Sequence, residues 1–329
     1  MADKTININL IIGGILSLLF VFFSFSGSIS FLERFELGIY DFGSSLGSDD
    51  NLDPERVVIV EIDDKSLDKF GSWPWPRRLI AEMIDVLREN EALIIGLNIP
   101  VDEAEYNSGL EEIRKFREKY NAYPAASADM SLKGWVLANL EQIEGRIDND
   151  AILKASIKKA GNVILPVYGS VPHGARKTDD ESSFLSRNSL DRSGVSARVK
   201  AGVSRNELRL PLSEFVNNAA GAGLVATASS SGDSGRSYPA FAGYKGNIIP
   251  SFPLSIAASY LGLAPEDVKV EDDIIRLKGL SVPLAGGKML IKSGGETKRY
   301  SFADLVDTET VPENLFKGKI ALIGFNDYQ

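Results

Sequence analysis

Short apolar runs alternate with amphipathic segments over most of the chain, and this pattern predicts an α/β fold. Strands are expected at 57–62, at Ala92–Ile99, at Asn162–Tyr168 and at Lys319–Gly324. Runs this short and this rich in β-branched residues suit strands that are covered on both faces. The first two runs flank a segment from Arg77 to about Asn90 whose apolar side chains recur at helical spacing. This βαβ unit predicts parallel strands joined by a right-handed crossover.

Further helices and β segments complete a mixed, mainly parallel central sheet flanked by helices, with antiparallel β additions. The other helices are expected at Leu110–Tyr120, Gly134–Gly145, Asp148–Ala160, Pro211–Ala219, Phe252–Leu261 and from Ser301 to Val306. Two other β segments, Gly221–Thr227 and Tyr238–Tyr244, are expected on either side of a turn at Ser230–Gly235. The remaining β segments are expected at Val268–Leu277, Val282–Leu284 and Met289–Lys292. The polar, weakly periodic stretch Ser170–Arg205 is interpreted as a long loop.

A long apolar run near the amino terminus predicts one transmembrane helix. Leu10–Phe25 carries no charge, and extending it to 6–29 gives the roughly 20 residues that a bilayer span needs. A cleaved signal peptide is the alternative interpretation, although its basic end would be weak because Asp3 offsets Lys4. We therefore expect an uncleaved anchor.

Composition excludes several kinds of function. The 329 residues carry a net charge of −9, which argues against a nucleic-acid partner because phosphate binding needs a basic face. The absence of cysteine excludes disulfides, a thiolate nucleophile and cysteine-ligated zinc. The single histidine, His173, leaves few routes to a catalytic triad or to a multi-histidine metal site. No cofactor is predicted.

The most distinctive stretch is Arg56–Arg78, in which a hydrophobic strand ends in charge and is followed by an aromatic turn. Asp63 and Asp64 come where the strand would leave the core, and Ser66 is expected to cap a short helical turn. The segment Trp73–Arg77 has the sequence WPWPR, in which each proline fixes its own φ and restricts the residue before it. We expect a stiff elbow beside the carboxyl end of the strand.

The polar residues that follow the first two strands are candidate ligand contacts. Asn98, Asp102 and Glu103 are expected at the carboxyl end of the second strand, close to Asp63 and Asp64, at the edge where open α/β sheets place ligands. Such oxygens could hold Mg²⁺ or Ca²⁺, or a cationic or hydroxylated ligand. The alternative, which we favour over a metal, is that Asp63 bonds backbone amides at the elbow or pairs with Arg77.

The elbow supplies the remaining candidates. Trp73 and Trp75 could stack on a sugar or cover a cation, although at least one of them is expected to be a core residue. Arg77 and Arg78 oppose the dipole at the start of a helix, so either the two aspartates or an anionic ligand must compensate them. Arg236 is a second candidate anion contact, and the Gly-x-Gly sequence at 221–223 is only a weak nucleotide signal.

These motifs resemble the CHASE2 family of extracytoplasmic sensor domains. The resemblance is specific at Ile62–Leu67 and Gly71–Arg77, and it continues more weakly at Gly221–Arg236 and Phe316–Gly324. It implies the sensory module of a bacterial-type membrane receptor, without implying any particular ligand. Family members usually have an aspartate near the position of Asn98, so this chain departs from the pattern there.

Together, the sequence and the resemblance predict the organisation of the chain. Residues 1–5 are expected to be cytoplasmic, 6–29 to form the anchor, 30–50 a stalk helix and linker, and 51–329 the sensor domain outside the cell membrane. Apolar residues at helical spacing over Phe31–Phe42 support the stalk.

The predicted function is signal transduction: the outer domain would bind a small-molecule or protein signal and transmit it through the stalk and membrane helix. The expected partners are the lipid bilayer and further copies of the chain. Any output enzyme would lie outside this chain, which is not itself expected to be an enzyme. The alternatives are a self-associating structural protein and an extracytoplasmic metal-dependent hydrolase.

Overall fold

The computed structural model describes residues 13, 14, 17, 55–123, 130–169, 181–191, 208–226, 237–271, 274–291, 297–307 and 311–325. The chain divides into two units, Met1–Leu52 with Lys292–Gly294, and Asp53–Ile291 with Gly295–Gln329. In the first unit only Gly13, Gly14 and Ser17 are described, and all three are helical. The rest of the predicted anchor at 6–29, and the stalk and linker at 30–50, lie outside the described residues. Among the described helices, none has both the length and the apolar character that a bilayer crossing requires.

The described part of the second unit contains both strands and helices. The strands are β1 (Val57–Ile62), β2 (Ile94–Leu97), β3 (Val163–Gly169), β4 (Leu208–Arg209), β5 (Gly221–Val225), β6 (Ser237–Pro239), β7 (Phe241–Tyr244), β8 (Asn247–Pro250), β9 (Lys269–Val270), β10 (Ile274–Leu277), β11 (Leu280–Ala285), β12 (Lys288–Leu290), β13 (Lys298–Ser301) and β14 (Ile320–Phe325). The helices are α1 (Asp64–Phe70), α2 (Arg77–Glu89), α3 (Ser108–Ala122), α4 (Met130–Ile147), α5 (Asn149–Ala160), α6 (Glu181–Asn188), α7 (Ser213–Val216), α8 (Phe252–Tyr260) and α9 (Phe302–Val306).

The central sheet is mainly parallel, as the sequence predicts. Its strand order is β13-β1-β14-β2-β3-β4, and β5 also pairs with β3. All of these pairs are parallel except β3 with β4. The carboxyl ends of β13, β1, β14, β2, β3 and β5 therefore meet at one edge, which we call the carboxyl edge.

The order of the strands corrects one detail of the prediction. The strands β1 and β2 are parallel, as expected for a βαβ unit, but β14 lies between them. Because neighbouring strands are about 4.8 Å apart, the residues after β1 and β2 are separated by a further strand width. The apolar runs identify buried strands, whereas the choice of neighbour depends on packing between distant parts of the chain.

Helices cover both faces of this sheet. On one face, α2 and α5 bury Met83, Ile84 and Leu153 against Val58 and Ile95. On the opposite face, α8 packs Phe252 and Ile256 against Ile94 and Ile164. The alternation between Ile94 and Ile95 follows from the two-residue period of a strand. The sheet is therefore a buried layer, and ligands can reach it from its edges.

The structure contains antiparallel β segments, as predicted, but their strands pair differently from the prediction. The segments expected at Gly221–Thr227 and Tyr238–Tyr244 do not pair with each other: β5 joins the central sheet, β6 pairs with β12, and β7 pairs with β8. The strands β6, β12, β11, β10 and β9 form a separate five-stranded sheet. The predicted loop 170–205 contains α6, which buries Phe184. Residues 170–180 and 192–205, including His173, lie outside the described residues.

The predicted surface helices α3 and α4 are present and pack against each other. Their polar residues form ion pairs, such as Arg117 with Glu144 at 3.0 Å. They also expose large apolar side chains, which the sequence pattern does not predict. These are Phe116 on α3 and Met130, Leu132, Trp135 and Ile143 on α4, which we call the α3–α4 apolar surface.

Candidate ligand site

Asp63 directly follows β1 at the carboxyl edge and connects neighbouring elements there through hydrogen bonds. Its Oδ1 accepts hydrogen bonds from the backbone N–H of Ser66 at 2.9 Å, the Ser66 hydroxyl at 2.5 Å and the Ser301 hydroxyl at 2.9 Å. The fully buried Ser66 hydroxyl in turn accepts the N–H of Ala303 at 3.0 Å. Asp63 thereby caps α1, which corrects the expectation that Ser66 is the cap.

These bonds set the charge state of Asp63. Burial alone would raise the pKa of the carboxyl, but the hydrogen bonds from Ser66 and Ser301 outweigh it and hold the pKa below its usual value. Asp63 does bond a backbone amide, as one alternative predicted, but the amide is that of Ser66 in α1 rather than one of the elbow. The predicted pairing with Arg77 is wrong, because Arg77 pairs with Asp150. Asp64 is exposed at the start of α1. Within the described residues, no group of three or more acidic or histidine side chains is placed to hold a metal ion.

The elbow is packed onto the carboxyl edge. Trp75 is 5% exposed, and its indole N–H donates to the carbonyl of Gly71 at 2.6 Å. Its ring contacts Phe70 and Phe302 at centroid distances of 5.3 and 5.2 Å. Trp73 is partly exposed and meets the Phe325 ring edge-on, at the end of β14, at 4.7 Å. Trp75 is therefore the core residue that the sequence analysis expected among the two indoles, and Trp73 is the more accessible one.

Arg77 is compensated by acidic residues other than the two predicted aspartates. Its guanidinium group pairs with Asp150 and donates to the carbonyl of Glu103. Its backbone N–H donates to Glu105 Oε2 at 2.7 Å, which supplies the helix cap that Pro76 cannot provide. The guanidinium group also lies 5.3 Å from the Phe215 ring. The Arg77 side chain is only 13% exposed, so these contacts fix its position.

A cavity of about 520 Å³ opens between the elbow and the segment that follows β2. Its walls include the elbow residues Trp73, Trp75 and Arg77, and the acidic residues Asp102, Glu103 and Glu105. The wall also includes the apolar residues Ile80, Ile99, Val101 and Leu153, together with Tyr106 and Arg209. The predicted residues Trp73, Trp75, Arg77 and Asp102 thus share one site, which we call the elbow cavity.

Arg209 joins the cavity from β4. Its Nε donates to Asp102 Oδ2 at 2.6 Å. The antiparallel pairing of β4 with β3 places Arg209 opposite Tyr168. Burial raises the pKa of Tyr168, and the negative charge of Asp102 adds to this effect. The Tyr168 hydroxyl therefore stays protonated and donates to Asn98 Oδ1 at 2.9 Å.

The predicted candidates divide by position. Asn98 is at the carboxyl edge, but β14 separates its strand from that of Asp63, and it does not line the elbow cavity. Asp63 and Asp64 are likewise absent from the cavity wall. Arg236 lies outside the described residues.

Several residues of the elbow cavity are not predicted from the sequence. Glu105 and Tyr106 belong to an acidic and aromatic stretch directly after the second strand, so their position in the sequence carried a usable signal. Arg209 follows a long polar segment, and no local pattern marks it.

Comparison with known proteins gives one result. A family model described as the CHASE2 domain matches residues 15–328. Neither the curated proteins nor the solved structures contain a match to the chain. The matched span includes both the elbow and the cavity wall.

Proposed function

Because the chain belongs to the CHASE2 domain family, which comprises extracytoplasmic sensor domains, we propose that it is a membrane-anchored sensor module whose elbow cavity receives the signal. The cavity is the observation that carries this proposal. Its volume of about 520 Å³ lies in the range of small-molecule sites, and it adjoins the edge at which open α/β sheets place ligands.

The cavity wall is already ordered by contacts within the chain. Trp75 is fixed by its bond to Gly71, and Arg77 by Asp150 and the carbonyl of Glu103. A preformed wall lowers the entropic cost of binding a small ligand. Tyr106, which is 78% exposed, is a wall residue that a ligand can reach.

The proposed organisation follows the sequence. Residues 1–5 are cytoplasmic, 6–29 form a single membrane-spanning anchor, 30–50 form the stalk and linker, and 51–329 lie in the periplasm or outside the cell. A ligand would transmit its signal if it bound the elbow cavity more tightly when the stalk and anchor are in one arrangement than when they are in another. Any output enzyme would be a separate domain or protein.

Self-association is the second candidate property, and the α3–α4 apolar surface favours it. Large apolar patches on a soluble domain mark interaction sites, and this surface exposes Phe116, Leu132 and Trp135. We propose a second copy of the chain as its partner. A metal-dependent hydrolase has less support, because Asp63 Oδ1 is committed to three donors within the fold.

The test of the signal site compares two exposed tyrosines. Tyr106 lines the cavity, whereas Tyr123 follows α3, is 72% exposed and does not line the cavity. The chain would be screened by thermal unfolding against a library of periplasmic metabolites. We expect compounds that raise the melting temperature to lose their effect in Tyr106→Ala and to keep it in Tyr123→Ala. Equal responses of the two variants would place the binding site elsewhere.

A further inference from the structure

The charges on the cavity wall do not cancel. The wall contains two guanidinium groups, of Arg77 and Arg209, and the three carboxylates of Asp102, Glu103 and Glu105. Arg77 is neutralised by Asp150, which lies behind the wall, and Arg209 by Asp102. Glu103 and Glu105 remain, so the wall carries a surplus of negative charge.

The two surplus carboxylates differ in their surroundings. Glu105 Oε2 accepts the backbone N–H of Arg77, and Oε1 accepts the side-chain amide of Asn149 at 2.5 Å. Both donors are neutral, so the charge of Glu105 is stabilised but not cancelled. Glu103 is exposed, and its carboxylate has no ion-pair partner within the described ranges. It is therefore the acidic group most available to a ligand.

Aromatic rings accompany this charge. The partly exposed ring of Trp73 and the exposed ring of Tyr106 line the same cavity. A cation over an aromatic face is attracted by the negative face of the ring quadrupole. The side chains of Ile99 and Val101 add apolar surface between the charged groups. Carboxylates, aromatic rings and apolar surface together suit an ammonium or guanidinium group on a hydrocarbon chain.

We propose that the elbow cavity binds an organic cation of this kind, an amine or guanidinium compound with an apolar body. This inference rests on the proposed function, since it names the chemical class of the signal. It also replaces the expectation of an anionic ligand at Arg77, because the guanidinium group of Arg77 already pairs with Asp150.

Three probes of equal length isolate the effect of charge: cadaverine, 1,5-pentanediol and glutarate, which are dicationic, neutral and dianionic at pH 7. Each would be titrated into the 329-residue chain in a non-ionic detergent, with sodium chloride at matched ionic strength as the reference. The readouts are the melting temperature and the tryptophan fluorescence. We expect cadaverine to raise the melting temperature and the other two probes to have little effect.

A matched pair of variants assigns the effect to the cavity. Glu103→Gln removes one charge from the wall, and Glu266→Gln removes the same charge from an exposed turn outside it. One screened ion contact is worth about 1 kcal/mol, so we expect Glu103→Gln to weaken cadaverine binding about fivefold. Glu266→Gln should leave it unchanged.

The possible failures separate the two proposals. If glutarate or pentanediol binds at least as tightly as cadaverine, and Tyr106→Ala weakens that binding, the cation class is wrong and the signal site stands. The cation class is also wrong if cadaverine has no effect beyond sodium chloride, or if both glutamine variants respond equally. If Tyr106→Ala leaves the binding of all three probes intact, the cavity itself is not where these probes bind, and both proposals lose their support there.

Discussion

One carboxylate oxygen of Asp63 accepts three hydrogen bonds, and the donors belong to two separate parts of the fold. Ser66 belongs to α1, Ser301 ends β13, and the Ser66 hydroxyl continues the network to the N–H of Ala303 in α9. A charged acceptor with several donors forms stronger bonds than a neutral one. One aspartate thus connects β1 to the edge strand and to two helices, which is a structural role.

Replacing Asp63 by alanine should destabilise the domain in a pH-dependent way. The variant removes a helix cap and two bonds to a charged acceptor, so we expect the free energy of unfolding to fall by about 2 kcal/mol at pH 7. The pKa of Asp63 is lowered from its usual value of 3.8. Its contribution is therefore fully present above that pH and is lost as the pH falls through the lower folded-state value.

Urea unfolding of the wild-type chain and the variant at pH 7, 4 and 3 measures this difference. The control is Asp64→Ala, which removes the exposed neighbouring carboxylate at the start of α1 and should cost less than about 1 kcal/mol. Equal losses in the two variants, or a gap that grows as the pH falls, would contradict the role assigned to Asp63.

At the scale of elements, local sequence patterns predict where helices and strands lie, but they do not predict which strands pair. The sequence predicts a helix at Asp148–Ala160 with either Asp148 or Asn149 as its cap, and α5 begins after the cap Asp148 and ends at the left-handed Gly161. For α1 the sequence predicts Ser66 as the cap, whereas Asp63 is the cap in the structure. Both residue types can cap a helix, and the choice depends on the burial of Ser66 beside α9. The position of β14 between β1 and β2 depends on contacts between segments more than 200 residues apart, which periodicity cannot encode.

The contact between β5 and α8 gives a prediction at this scale. A Cβ at Gly223 would lie 2.7 Å from Phe252 Cα, 2.7 Å from the Ser251 carbonyl oxygen and 2.6 Å from Ser255 Oγ. Two of these atoms are backbone and cannot move without shifting α8. We therefore expect Gly223→Ala to lower the free energy of unfolding by about 1–3 kcal/mol. Its neighbour in the Gly-x-Gly sequence is a matched control, because a Cβ at Gly221 would lie 3.4 Å from Ile164 Cδ1.

Urea unfolding of both alanine variants tests this packing role. A Gly223→Ala chain as stable as Gly221→Ala would show that the close approach of β5 and α8 is not required. The result also bears on the weak nucleotide signal at 221–223, since close packing against α8 accounts for Gly223 without a ligand.

For the whole molecule, the candidate site was predictable where it is local in sequence. Trp73, Trp75 and Arg77 belong to one short elbow, and the structure keeps them together at the cavity. The partner of Arg77 could not be predicted, because Asp150 is 73 residues away and reaches it only through the packing of α5 on α2. Arg209 likewise arrives through the pairing of β4 with β3. Contacts between segments that are distant in sequence thus determine which charged groups of the cavity wall are neutralised and which are not.

The absence of cysteine allows a direct test of the proposed location. Ser131→Cys places one thiol on the exposed surface of α4, and Ala2→Cys places one in the proposed cytoplasmic segment. In intact bacterial cells, a maleimide that cannot cross the inner membrane should label the first variant and not the second. Permeabilised cells should show labelling of both. Labelling of Ala2→Cys alone in intact cells would invert the proposed orientation, and labelling of neither would place the domain inside the cell.

The α3–α4 apolar surface gives the last prediction, which concerns assembly. Trp135 is exposed on α4, and a large apolar side chain of this kind is depleted from surfaces that face only water. If a second copy covers this surface, Trp135→Gln should weaken the contact by removing a large aromatic anchor, the residue type that dominates interface energies. The chain in non-ionic detergent would be measured by light scattering with the detergent mass subtracted. We expect the variant to dissociate at a protein concentration at least tenfold higher than the wild-type chain does.

Leu280→Gln, which removes an exposed apolar side chain from β11, is the control and should leave the mass unchanged. If both variants have the wild-type mass at every concentration, then α4 does not carry the contact.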